Sequence, residues 1–284
     1  MERPSLYVVA TPIGNLADIT LRALEVLKRV DVIAAEDTRT TGHLLRHYGI
    51  NASLIALHQH NERRAAQKIL HLLAHGKSVA LVSDAGTPAI SDPGAVVIGI
   101  VRAAGHPVVP LPGASAAACA LSASGSTAPH FLFYGFLPQA AAARRRELAA
   151  LQALPYLLVF YEAPHRVMAS IGDMAAAFGA GRTITIAREL TKLFETIHQC
   201  RLGEAAAWLV ADANRSKGEF VLLVEGAPQA DAADAGAAQH VLEILLRELP
   251  LKSAVRVAAE ISAGKRNELY KLALELKKKT GTAG

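Results

Sequence analysis

Two cysteines in 284 residues, Cys119 and Cys200, lie far apart and in no metal or redox spacing. Neither a disulfide framework nor a thiolate metal cluster therefore organises this chain. Aromatic residues make up only 5% while hydrophobic residues reach 51%, so the interior must be assembled mainly from Ala, Leu, Val and Ile. Apolar runs stop well short of the ~20 residues a membrane helix needs. The opening MERPSLYVVATPIG has too short an apolar part, and an acid at Glu2, for a secretory signal. The expectation is a cytoplasmic protein with reduced thiols and no membrane partner. Two nucleotide signatures are also missing. TPIGN follows the first apolar run where G-x-G-x-x-G would stand, and no G-x-x-x-x-G-K-S/T occurs, which argues against ordinary dinucleotide and P-loop binding.

What is present is uneven. Leu251 to Gly284 holds eight Lys/Arg against three Asp/Glu, an excess equal to the +5 of the whole chain. A basic terminal segment suits a polyanion such as nucleic acid, and equally a solvated helix end.

The pattern along residues 1–114 alternates strand and helix. Leu6–Ala10 reads as a strand, and Asp18 as the cap of a helix carrying Ile19, Ala23, Val26, Leu27 and Val30 on one face. Further strands are expected at Asp31–Ala35, Ser78–Ser83 and His106–Pro110, and helices at Thr41–Tyr48, around Ala65–Leu73, and from Asp92-Pro93 to Ala104. Asp92 there serves as N-cap and Pro93 as first-turn residue. Such alternation predicts a mostly parallel sheet with helices on both faces. Residues 115–226 form a second α/β domain with strands at Phe131–Gly135, Pro155–Tyr161, Thr183–Arg188, Phe194–Arg201 and Glu219–Glu225. The later strands follow one another closely, which predicts a mixed sheet. Residues 227–236 are small and polar, a linker. Residues 237–284 hold three short helices, Val241–Leu249, Lys252–Ala263 and Asn267–Lys279, a basic module of helix-turn-helix size.

The densest turn is LVSDAGTPAISDPG, Leu81–Gly94, which shows Asp84 and Asp92 at the end of a buried strand. Open α/β folds place ligands at such strand ends. Ser115, in PLPGASA, resembles a hydrolase elbow whose last Gly is replaced by Ala117, and it is also a good N-cap. His58, His60 and Glu62 lie close together, but in no standard metal spacing; a polar loop beside a cleft accounts for them, and no metal is expected. AAEDTRTT, FYGFLP, FYEAPHR and ARELTKLFET each put polar residues just past an apolar run, which argues for one composite cleft.

TPIGNL, EDTRTT, SDAGTPAISDPG, PLPGASA, FYGFLP, YEAPHR, RELTKLFE and KGEFVLLVEG, in this order through residues 5–226, together resemble the ribosomal RNA small subunit methyltransferase I family of the tetrapyrrole-methylase superfamily. The resemblance implies a two-domain tetrapyrrole-methylase fold with S-adenosylmethionine in the cleft between the domains, usually in a homodimer. It also implies 2′-O-methylation of a cytidine in the decoding region of 16S rRNA on the small ribosomal subunit. A tetrapyrrole or protein acceptor is the alternative. Carried over by position, the cofactor contacts are Pro12, Asp84, Ala85, Gly86, Thr87, Ser115, Ala116, Tyr161 and Glu162. Glu36, Arg39, Lys192 and Glu195 are candidates for activating or orienting the ribose hydroxyl, with Lys192 either a base or a phosphate contact. Arg39, Arg166 and Arg188 are candidate phosphate contacts, and His60 and Asn61 contacts to a base or sugar. Lys265 and Arg266 are the module's candidates for RNA.

Overall fold

The computed structural model describes residues 3–228, 233–262 and 266–280. They fall into two units, 1–227 and 228–284. Among the described residues, no helix is long and apolar enough to cross a membrane.

Five short strands of the first unit, β1 (Leu6–Val9), β2 (Val32–Ala35), β3 (Ser53–Ala56), β4 (Val79–Val82) and β5 (Val108–Leu111), form an all-parallel sheet in the order β3-β2-β4-β1-β5. Alternate residues of each strand serve opposite faces. Ile33 and Ala35 pack with Leu27 of α1 (Leu21–Arg29) and Leu44 of α2 (Thr38–His47). Val32 and Ala34 pack with Ile69 of α3 (Glu62–Ala74) and Val97 of α4 (Ala95–Ala103). Both faces are covered, which is why VIAA and VALV are apolar throughout.

Several expected boundaries move. Thr20, not Asp18, caps α1, its side chain accepting from the Ala23 N–H. Asp18 instead closes a 3-10 turn capped by Asn15. Asp37 caps α2, so that helix starts three residues before Thr41. β3 was not expected; it is a sheet edge of mixed exposure whose short apolar run, Leu54–Leu57, is not buried throughout. The helix expected from Asp92 begins at Ala95, with Gly94 at the N-cap and the Glu62 carboxylate accepting from the Gly94 and Val96 N–H groups. Gly94, inside what would have been the first turn, stands at φ 132, outside the helical region, so the helix cannot run from Pro93.

The second sheet is mixed, in the order β6-β7-β10-β8-β9, from β6 (Phe131–Phe136), β7 (Leu157–Glu162), β8 (Thr183–Arg188), β9 (Thr196–Arg201) and β10 (Phe220–Val224). β6 and β7 are parallel; β10 runs antiparallel between β7 and β8. One face packs on α6 (Ala141–Leu151), α7 (Val167–Phe178) and α8 (Leu202–Val210) through Leu148, Met174 and Leu209. The other face carries Val159, Val221 and Leu223 against Ala120 of α5 (Ala116–Ala123) and against Ile13, which comes from the turn after β1. The second sheet thus meets α5 and the turn after β1 in one apolar cluster.

The second unit is three helices, α9 (Ala233–Glu248), α10 (Leu251–Ser262) and α11 (Arg266–Thr280), around Leu242, Val255, Ala258 and Leu269. α9 starts eight residues before the expected Val241, because Ala-rich sequence sustains helix without an apolar stripe. The linker is shorter by the same reasoning: 233–236 are helical. Lys252, Arg256, Arg266 and Lys271 are exposed; Lys265 lies outside the described residues.

Candidate active site

In a parallel sheet the carboxyl ends of the strands share one edge, and the turns leaving them build a rim there. The turns after β1, β4 and β5 are laced together. Thr11 and Gly86 exchange backbone hydrogen bonds at 2.9 Å in both directions. The Thr11 hydroxyl donates to the Ser83 carbonyl at 3.0 Å, and the Thr87 hydroxyl to the Ala114 carbonyl at 3.0 Å. Beneath this rim lies a cleft of about 320 Å³. The first sheet's turns supply Ile13, Ala85–Thr87, Ile90–Asp92 and Ser115–Ala116, and the second sheet supplies Phe136, Tyr161–Pro164, Leu190 and Glu219–Val221.

Close contacts across the cleft allow little freedom. A Cβ on Gly14 would lie 2.5 Å from Lys192 Cγ and 3.0 Å from the Leu190 carbonyl oxygen. A Cβ on Gly135 would lie 2.8 Å from Ser91 Oγ. The Asn15 N–H donates to the Thr191 hydroxyl at 3.1 Å. Among the described residues, the non-glycine residues at positive φ are Ala89, Ser91, Glu189 and Thr191, two in each of two loops that line the cleft. Strain of this kind persists only where surrounding structure fixes it, and it concentrates at functional sites.

Of the nine expected cofactor contacts, seven line the cleft: Ala85, Gly86, Thr87, Ser115, Ala116, Tyr161 and Glu162. Pro12 and Asp84 border it without forming the wall. Asp84 accepts from the Asp37 N–H at 3.0 Å and so ties the end of β4 to the cap of α2. The Ser115 hydroxyl caps α5, accepting from the Ala118 N–H at 3.4 Å. Tyr161 accepts from the Ala117 N–H at 3.3 Å, and burial raises its pKa. Glu162 is 2% exposed, and its carboxylate is engaged by the Ala163 N–H, Arg166 and the Ser170 hydroxyl.

The expected hydroxyl-activating residues are each engaged by a neighbour. Burial lowers the Lys192 pKa, but its ion pairs with Glu189 and Glu219, both 2.9 Å, outweigh this and leave it raised. A doubly paired ammonium does not act as a base, and its charge is already met for a phosphate. Glu195 accepts from the Thr191 N–H at 2.6 Å, bracing a left-handed turn. The Arg39 side chain is 87% exposed and pairs with Asp37 at 2.6 Å, which holds that carboxyl down at about 2. Glu36 accepts from the Asp84 N–H at 3.3 Å; burial, then the charges of Asp84 and Asp37, raise its pKa.

Two expected phosphate contacts are internal. Arg188 is 7% exposed and donates to the carbonyls of Lys217 and Phe194. Arg166 pairs with Glu162 at 3.2 Å and donates to the Leu137 and Pro138 carbonyls. Both arginines serve the fold, because their guanidinium groups point into it. His60 is exposed, whereas Asn61 braces its own turn, accepting from the His58 N–H and donating to the Ala56 carbonyl. Glu62, once grouped with the histidines, caps α4.

The wall also contains Ile13, Ile90, Ser91, Phe136, Leu190 and Glu219, which the sequence does not mark as contacts, and Asp92, which it marks only as a carboxylate of the turn and a helix cap. Burial and the charge of Glu36, with a smaller push from Asp84, drive Asp92 up to about 6 against the lowering hydrogen bond of Ser83. Asp92 was visible in the same turn as Asp84, but Asp-Pro ahead of an apolar helix reads as a cap.

The model of the family Tetrapyrrole (Corrin/Porphyrin) Methylases matches residues 5–206, and that of the RsmI C-terminal HTH domain matches 231–277. The ribosomal RNA small subunit methyltransferase I of Escherichia coli O157:H7 is 54% identical over 270 residues, 95% of this chain and 94% of that one. Its counterpart in Pseudomonas aeruginosa is 49% identical over 277 residues, 97% and 98% of the two chains. The chain belongs to the ribosomal RNA small subunit methyltransferase I family. Solved structures share the fold at lower identity. The methyltransferase CobJ superposes with a TM-score of 0.60 at 19% identity, covering 79% of this chain and 95% of that one. A uroporphyrin-III C-methyl transferase from Thermus thermophilus complexed with S-adenyl homocysteine gives 0.54 at 18%, covering 77% and 96%.

Proposed function

We propose that this enzyme transfers a methyl group from S-adenosylmethionine to the 2′-hydroxyl of a cytidine ribose in 16S rRNA, on the small ribosomal subunit. The supporting observation is the cleft itself. It is built from the turns at the carboxyl ends of β1, β4 and β5 and from strand ends of the second sheet, in a chain of this family. The residues present suit the cofactor. Ile13, Ile90, Leu190 and Val221 offer apolar surface to an adenine ring, and the peptide groups of 85–87 and 115–116 offer polar partners. The volume falls in the range of small-molecule sites, roughly 300–1,000 Å³.

When bound, the cofactor supplies an already electrophilic methyl group. The protein must then hold the ribose hydroxyl in line with it, exclude water and take up one proton. Orientation alone contributes several kcal/mol, about 7 in ideal systems. The exposed Lys252, Arg256, Arg266 and Lys271 of the helical module suit the RNA backbone. Cytoplasmic action as a homodimer belongs to the same reading.

The test is transfer of labelled methyl from S-adenosylmethionine to small subunits devoid of the modification, followed by nuclease mapping and sedimentation of the enzyme. Label on a cytidine ribose is the expected result. Cofactor binding without RNA label would turn the search to tetrapyrrole or protein acceptors.

A further inference from the structure

A neutral ribose hydroxyl is a poor nucleophile, so the reaction proposed above, on which this inference rests, needs a proton acceptor within reach. The cleft's charged groups differ in how far they are already engaged. Lys192 is held between Glu189 and Glu219, and Glu219 is thereby paired as well. Glu162 is bound by Ala163, Arg166 and Ser170. Glu36 bonds the Asp84 N–H and lies off the wall, as does Asp84, which bonds Asp37. Asp92 lies on the wall, in neither an ion pair nor a helix cap, and the Ser83 hydroxyl near it donates to the Ala85 and Gly86 carbonyls.

The backbone places Asp92 with unusual care. Ala89 and Ser91 are left-handed, Ser91 sits against Gly135 of β6, and Glu62 grips the Gly94 and Val96 N–H groups just beyond. An N-cap would need none of this, because Glu62 already caps α4. We infer that Asp92 is the catalytic base, the group that accepts the ribose hydroxyl proton during methyl transfer. The hydroxyl O–H bond breaks and its proton passes to an Asp92 oxygen. The ribose oxygen bonds the methyl carbon, whose bond to sulfur breaks with its electron pair retained on sulfur. Asp92 then returns the proton to water.

The groups facing Asp92 are consistent with this role. Glu36 from the end of β2 and Asp84 from the end of β4 oppose its ionisation, and the Ser83 hydroxyl favours it. Tyr161 from the end of β7 is near enough to feel its charge, and Glu62 of α3 stands at the far end of the turn. These influences leave a carboxylate more basic than usual at its place on the wall.

The experiment is single-turnover methyl transfer to unmodified small subunits between pH 5 and 8, with cofactor affinity measured in parallel by calorimetry. The wild-type rate should climb with pH at the acid end and level off above it. Asp92→Asn should lower the rate by roughly 10²–10⁴-fold, abolish the acid limb and leave the cofactor Kd within a few-fold. Glu36→Gln should keep the limb but move it to lower pH, since it removes a charge that opposes ionisation of Asp92. A wild-type rate in the Asn variant, a persisting acid limb, or a loss of cofactor affinity matching the loss of rate would each overturn the inference. Should the Asn variant not fold, Glu36→Gln decides, and an unmoved limb counts against Asp92. Wild-type enzyme that binds cofactor yet labels no ribose overturns the proposed reaction itself, before any variant is read.

Discussion

Arginine 188 shows how a side chain's charge and its task can part company. It lies on β8 within reach of the cleft loops, yet its guanidinium donates to the Lys217 and Phe194 carbonyls and to the Thr196 hydroxyl. Arg188→Gln should therefore cost about 1–3 kcal/mol of stability by leaving carbonyls without donors. Chemical denaturation measures this, and RNA affinity per folded molecule should stay the same. Asp92 presents the opposite case. Its folded pKa, about 6 against 3.8, is raised, so folding takes up a proton between these values. The favourable contribution of the protonated acid is complete below pH 3.8 and lost as pH rises through 6. Asp92→Asn should accordingly be more stable than wild type at pH 7.5, on the order of 1 kcal/mol after solvent screening. The difference should vanish near pH 4, and urea midpoints at the two pH values check it. Neither role is legible in a sequence, which displays that a residue is charged but not what surrounds the charge. Arg166 and Arg188 look like RNA ligands on that basis, and Asp92 looks like a helix cap.

Among elements, legibility follows burial. VIAA, VALV and FVLLV are buried along their whole length, and a continuous apolar run announces such strands. β3, at an edge, has an equally short apolar run, Leu54–Leu57, but is only partly buried. Helix faces were plain wherever the apolar stripe was regular, as in α1, while α9 extends into Ala-rich sequence that has none. The turns are the elements that make the site, and their contents were readable as a set: seven of the nine residues expected at the cofactor line one cleft. The way those turns interlock was not readable, because it depends on contacts between residues far apart in sequence. Gly14 against the 189–192 loop is the sharpest instance. Gly14→Ala would force a Cβ to 3.0 Å from the Leu190 carbonyl oxygen as well as onto Lys192. It should cost about 1–3 kcal/mol by overpacking and shift the Thr191 amide resonance, both readable by denaturation and NMR.

For the molecule as a whole, the two units carry separate cores: the residues of 6–224 pack among themselves, and those of 242–273 do likewise. A chain ending at Ala227 should fold and bind cofactor with unchanged affinity. Its RNA affinity should fall, and the slope of log K against log salt should become shallower as phosphate contacts are lost. A filter-binding series from 50 to 200 mM salt, roughly the span over which such contacts are felt, checks both. An unchanged slope would remove the module from the RNA interface.

The strand order β3-β2-β4-β1-β5 also sets a timetable. β1 is the first strand to be synthesised, but its neighbours are β4 and β5, which register Leu6 against Val79 and Val108. During translation β1 must wait, unpaired, for more than seventy residues to follow it, because neither β2 nor β3, made in between, lies beside it in the finished sheet. β2 and β3, neighbours both in chain and in sheet, can meet while it waits. Long-range parallel pairing of this kind makes folding slow. The turn after β1, which supplies Ile13 to the cleft, is thus made long before the strands that hold β1 in place.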